Sequence, residues 1–126
     1  MNPWNQRVED QEWHEKYDVQ VEAWAPFAEG RHDLFTNPTL AEIGKQYGKT
    51  VGQVVLRWLM QRGIVALAKT VRPERMAENI AIFDFELSQK DIEKIAALDK
   101  KESAFFDHDA PQQVEWFMVR MLDTEN

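Results

Sequence analysis

Two cations and a hydroxyl lie within seven residues of one another, at Lys69, Thr70 and Arg75. They follow a continuous apolar run at residues 64–68, which has the length of a strand, and Pro73 is typical of the first turn of a helix. At such a junction, the helix offers unpaired amides and the positive end of its dipole to an anion. The pattern is suited to holding a phosphate monoester.

The residues alone leave a second interpretation open. The same segment carries two acids, Glu74 and Glu78. Residues 69–79 would then be a solvated helix start, in which the lysine and arginine pair with these glutamates.

The elements that position this segment alternate between strand and helix patterns, which favours an α/β fold. Residues 19–25 alternate with period two and predict a second strand, and residues 64–68 predict a strand buried on both faces. Capping residues and glycines mark the helix ends. Starts are predicted at Asn37 with Pro38, Thr50 with Gln53, Pro73, and Ser88 with Asp91, and ends at Gly48 and Gly63. Residues 6–17 and 114–121 predict a surface helix and a short C-terminal helix.

Two predicted strands are too few for a self-sufficient sheet, because each keeps an edge whose backbone groups need partners. A (β/α)₈ barrel needs about 250 residues, and this chain has 126. The pattern is therefore that of part of a barrel. Either the chain belongs to a longer protein, or another copy supplies the remaining strands.

Residues 69–79 resemble the adenosine-phosphate signature of aldo-keto reductases. That signature runs Lys-Ser/Thr, four variable residues, Arg, two more residues and Glu-Asn. The resemblance implies NADP(H) as cofactor. It implies that Lys69, Thr70 and Arg75 contact the 2′-phosphate, that Val71 contributes a contact through its backbone, and that Glu78 and Asn79 face the adenine.

Residues 21–27 look like the seventh strand of the same family. The resemblance implies that Trp24 stacks on the nicotinamide ring, whereas the residues alone favour an ordinary core tryptophan. Ala25 stands where the family has serine, and Glu29 places an acid near the implied pyrophosphate. Residues 47–50, 56–58, 83–88 and 105–108 also resemble the family's C-terminal course.

The resemblance implies a partial (β/α)₈ TIM barrel, with residues 1–126 as one incomplete domain. This domain would comprise the last two βα units and the C-terminal helices of the barrel. Within the family, the sequence resembles bacterial members of the 2,5-diketo-gluconate reductase type. The implied parent activity is NADPH-dependent reduction of small aldehydes or ketones.

The family's catalytic Asp, Tyr, Lys and His lie before the start of this chain, so we expect the chain itself to be inactive. Tyr17 and Tyr47 match no catalytic motif and are interpreted as packing residues. The alternative is a non-catalytic domain that forms homo-oligomers through its open strand edges.

Composition excludes several other function classes. The net charge of −7 argues against nucleic acid and anionic membranes as partners. The absence of cysteine excludes disulfides and thiolate zinc sites and favours a cytoplasmic location. We expect neither a signal peptide nor a membrane span. The three histidines share no ligand spacing, and residues 107–109 are interpreted as a solvated acidic turn rather than a metal site.

Overall fold

Two short parallel strands and six α-helices form the described part of the chain, residues 1–107 and 110–123, in the computed structural model. The strands are β1, Glu22–Trp24, and β2, Val65–Leu67. The helices are α1 Val8–Lys16, α2 Pro38–Tyr47, α3 Val51–Gln61, α4 Pro73–Ile80, α5 Gln89–Ala96 and α6 Pro111–Asp123. A 3-10 segment, Ala28–Thr36, connects β1 to α2.

The helix boundaries confirm the capping predictions. The Asn37 side chain accepts a hydrogen bond from the amide of Leu40, 3.1 Å away, and so caps α2. Gly48 ends that helix at φ 65°, a left-handed conformation in which glycine avoids the strain that other residues meet. Complete capping boxes begin α3 at Thr50 and α5 at Ser88.

The sheet pairs β1 with β2 in parallel, with Glu22 opposite Val65, Ala23 opposite Ala66 and Trp24 opposite Leu67. Both strands are shorter than predicted. Ala23 faces the helices and is fully buried, whereas Val65 is 44% exposed and Leu67 51% exposed. The prediction that residues 64–68 form a strand buried on both faces is therefore wrong. The face opposite the helices carries Trp24, Val65 and Leu67 and is about half-exposed, with the ring of Phe105 against Trp24.

The hydrophobic core lies between the other face of this sheet and the helices, centred on α3. That helix packs against α2, α4, β2 and the 3-10 segment. The largest fully buried apolar side chains are Trp58, Leu34, Leu40, Ile43, Leu59, Ile95, Val54 and Val55. Because α3 contacts both β2 and α4, it fixes the strand and the helix on either side of residues 69–72.

Candidate functional site

A cavity of about 240 Å³ lies beyond the end of β2, at the start of α4. It brings together five of the seven predicted cofactor-contacting residues: Lys69, Thr70, Arg75, Glu78 and Asn79. Lys69 and Thr70 follow the strand directly, and Arg75 lies in the first turns of the helix that Pro73 begins. The strand-to-helix context expected for this segment is confirmed.

The two cations of this cavity form no salt bridge with any carboxylate in the described part of the chain. Glu74 instead pairs with Arg72, at 2.7 Å between Nε and Oε1. Its own backbone amide, the bond from Arg72 and the charge of Arg75 together lower the pKa of the Glu74 carboxyl. Lys69 and Arg75 thus present positive charge that the neighbouring glutamates do not neutralise by direct contact.

The hydroxyl of Thr70 is also oriented by the chain. Its oxygen accepts a hydrogen bond from the backbone amide of Arg72 at 3.2 Å. A hydroxyl that accepts through its oxygen keeps its own proton to donate. Beside Lys69 and Arg75, Thr70 adds a neutral donor to a cavity that already carries two cationic ones.

The far wall of the cavity comes from residues whose participation local sequence patterns do not reveal. These are Phe27, Phe35, Thr50, Val51 and Gly52. The rings of Phe27 and Phe35 lie 5.6 Å apart. Thr50 and its neighbours belong to the start of α3, where the capping box was visible in the sequence only as a helix start.

Trp24 and Val71 lie outside this cavity. Trp24, at the end of β1, is half-exposed and lines a separate cavity of about 230 Å³ together with Phe105. The two rings have centroids 4.9 Å apart with an interplanar angle of 33°. Val71 is 82% exposed. The core-tryptophan interpretation of Trp24 is wrong, because half of its surface faces outward.

The 3-10 segment after β1 contains a series of left-handed residues, including Ala28, Glu29 and Asp33 at φ 49° to 54°. For residues other than glycine, such conformations cost free energy, and they occur where the surrounding structure imposes them. Arg31 connects this segment to the tail, since it donates a 2.8 Å hydrogen bond to the carbonyl of Ala104 and also lies 3.9 Å from the carboxylate of Glu29. The acid expected near the pyrophosphate therefore has a cationic neighbour within its own segment.

Neither tyrosine lines the cavity. Tyr47 packs against Phe85, with ring centroids 5.4 Å apart, in agreement with its interpretation as a packing residue. Tyr17 is 65% exposed and stacks on Trp13 at the surface, so it is not a core residue.

Within residues 1–107 and 110–123, no group of three or more acidic or histidine side chains could hold a metal ion. His108 and Asp109 of the acidic turn lie outside the described residues.

Comparison with known proteins decides the family. The model of the aldo/keto reductase family matches residues 2–100. The chain belongs to this family. Glyoxal reductase of Bacillus subtilis is 46% identical over 84 residues, which are 67% of this chain and 30% of that protein.

Solved structures give the same answer for the fold. An aldo-keto reductase of the silkworm Bombyx mori, complexed with NADPH, is 33% identical in sequence and superposes with a TM-score of 0.78. The matched region is 84% of this chain and 35% of the silkworm protein. A protein provisionally described as a 2,5-diketo-D-gluconic acid reductase B is 28% identical and superposes with a TM-score of 0.79. The matched region is 86% of this chain and 38% of that protein. The fold is therefore that of part of an aldo-keto reductase.

The chain spans about a third of the length of the curated relatives it matches. None of the helices in the described ranges combines the length and apolar character needed to cross a bilayer.

Proposed function

We propose that this chain is the cofactor-binding C-terminal portion of an NADPH-dependent reductase of small aldehydes or ketones. It would supply the last two βα units of a (β/α)₈ barrel. The observation that carries the proposal is the cavity after β2, where Lys69, Thr70 and Arg75 converge with no carboxylate bonded to either cation in the described chain.

These residues fit the adenosine end of NADPH. A phosphate monoester carries acceptor oxygens and about two negative charges, and it requires charged donors that are not already neutralised. Lys69 and Arg75 are such donors, and Thr70 keeps its proton for a third bond. Glu78 and Asn79 line the same cavity and would face the base. Val71 would contribute through its backbone.

Trp24 would hold the opposite end of the cofactor. Its half-exposed ring lies at the end of β1, where a flat aromatic surface can stack on a nicotinamide. Phe105 already contacts this ring, so a stacked nicotinamide would have to share the ring with the phenylalanine or displace it. NADPH, when bound, supplies the hydride of the reaction. This chain's own residues bind and orient it, and we propose that the proton donor and its partners belong to earlier segments of the barrel.

The adenosine end can be tested with the 126-residue chain, because its cavity is built entirely from residues 27–79. Isothermal titration with adenosine 2′,5′-bisphosphate and with adenosine 5′-monophosphate, each at two ionic strengths, separates the phosphates. We expect the bisphosphate to bind more tightly and the difference to shrink with salt, as exposed charges are screened. Equal affinity for the two nucleotides at both ionic strengths would remove the 2′-phosphate assignment.

A second candidate function is supported by the open face of the sheet. Trp24, Val65 and Leu67 are each about half-exposed, and they lie side by side on the two strands. Exposed apolar surface beside unpaired strand edges favours association with another chain. A non-catalytic, self-associating domain would use this face, whereas a complete reductase would cover it with its own strands.

A further inference from the structure

A side-chain to side-chain hydrogen bond connects the start of α3 to the site helix α4. The hydroxyl of Thr50 lies 2.6 Å from Oε1 of Glu78, across 28 residues of sequence. Both residues line the 240 Å³ cavity. Neither local pattern nor the proposed contacts to the 2′-phosphate account for this bond.

The direction of the bond follows from the capping box. The oxygen of Thr50 accepts the backbone amide of Gln53 at 3.3 Å. With that acceptor role fixed by the helix, the hydroxyl proton is left to point at the carboxylate of Glu78, which can only accept.

Gln53 anchors both ends of this contact. Its Oε1 accepts the amide of Thr50 at 3.0 Å, and its Nε2 donates to the carbonyl of Glu78 at 3.0 Å and to that of Ala81 at 3.2 Å. Gln53 is only 7% exposed. The backbones that carry the donor and the acceptor are therefore held by one buried side chain.

This arrangement gives the Glu78 carboxylate a defined orientation. Oε1 is occupied by Thr50, and no donor within the described chain bonds to Oε2. A carboxylate oxygen in this state accepts an N–H and repels another acceptor. An exocyclic amine on a purine base satisfies it, whereas a base with hydrogen in that position leaves it without a partner.

We propose that Thr50 is a positioning residue for base selection. By holding one oxygen of Glu78, it makes the cavity selective for a purine nucleotide with an exocyclic amine. This inference rests on the proposed function, because it takes the cavity to be a nucleotide site.

The test compares two ligands that differ only in that amine: adenosine 2′,5′-bisphosphate and purine riboside 2′,5′-bisphosphate. Titrated into the full chain, the adenosine compound should bind about 5- to 10-fold more tightly, the effect of one hydrogen bond of about 1 kcal/mol. Thr50→Ser keeps the donor and the cap, and it should keep this ratio. Thr50→Ala removes the donor without adding charge, and it should bring the ratio to about 1 with little change for purine riboside.

A second variant, Thr50→Asp, keeps a helix cap but donates nothing, and it serves if Thr50→Ala fails to fold by circular dichroism. Its negative charge should weaken the binding of both bisphosphates, so only the ratio is compared. In a Glu78→Gln background, neither Thr50 substitution should change the ratio further. A preference for adenosine that survives both Thr50→Asp and Thr50→Ala, or a wild-type ratio of 1, overturns the role of Thr50 and leaves the phosphate site standing. Failure of the wild-type chain to bind either bisphosphate overturns both proposals.

Discussion

The phenol of Tyr47 donates a 2.5 Å hydrogen bond to the carboxylate of Asp91 and so joins α2 to α5. The same oxygen of Asp91 accepts the hydroxyl of Ser88 at 2.8 Å and its amide at 3.1 Å. Burial by itself raises the pKa of Asp91, but the bonds from Tyr47 and Ser88 outweigh it, and the net pKa lies below the ordinary value. The carboxylate of Asp91 is thus the junction of the two helices.

This junction predicts a loss of stability in acid. The unfolded Asp91 takes up a proton near its ordinary pKa of about 3.9, whereas the folded one resists protonation to lower pH. The unfolded state therefore binds more protons, so the stabilisation is present above about pH 4 and is lost as the pH falls through the folded pKa. Urea unfolding at several pH values between 2 and 6 measures the slope of the free energy of unfolding against pH.

Asp91→Asn is the control for that titration. It removes the ionisable group, and we expect a lower free energy of unfolding at pH 6 and a shallower decline below pH 4. Other carboxyls with lowered pKa, including Glu74 and Asp84, remain in this variant and account for the residual slope. A slope identical to that of the wild-type chain would show that Asp91 does not titrate differently on folding.

The second prediction concerns catalysis. If the proton donor lies in segments outside this chain, NADPH oxidation with a reactive aldehyde should stay at the background rate for the purified 126-residue protein. Absorbance at the NADPH band follows the reaction directly. Turnover that disappears in Tyr47→Phe or Tyr17→Phe would show that one of these tyrosines donates a proton, contrary to their positions outside the cavity.

The third prediction concerns assembly through the open sheet face. The exposed Val65 and Leu67 should cause the isolated chain to form dimers or larger species in light scattering at micromolar concentration. Leu67→Lys should shift the population towards monomer. Val71→Lys places the same charge on another exposed apolar residue, outside the two strands, and should leave the mass unchanged. A wild-type monomer with two-state unfolding contradicts self-association.

The sequence predicted the part of the site that is local. Lys69, Thr70 and Arg75 are close along the chain, and a strand followed by a proline-started helix places them around one junction. The capping residues Asn37 and Ser88 also predicted their helices, because the responsible hydrogen bonds span only three residues. In each case, the interaction that decides the structure lies within the pattern that predicts it.

The parts that were not predicted depend on distant contacts. The bond from Thr50 to Glu78 joins two helices across 28 residues, and no periodicity encodes it. The burial of β2 was predicted wrongly. A continuous apolar run indicates a strand that suits a sheet covered on both faces, but it does not indicate whether the neighbouring strands are present. The contact between Trp24 and Phe105 likewise requires the path of the tail, which composition does not determine.

Arg75 is the residue on which recognition of the 2′-phosphate depends most directly, and Arg72 is its matched control. Both arginines lie at the start of α4, but Arg75 lines the cavity whereas Arg72 is paired with Glu74 outside it. Isothermal titration of the 126-residue chain with NADPH and NADH compares ligands that differ only in the 2′-phosphate. Arg75→Ala should weaken NADPH binding about 10-fold, the lower end for a charge-assisted bond because this arginine is exposed, and leave NADH binding nearly unchanged. Arg72→Lys keeps a cation beside Glu74 and should change neither affinity appreciably. Equal losses for NADPH and NADH in Arg75→Ala, or an equal effect of Arg72→Lys, would contradict the assignment of this cavity to the 2′-phosphate.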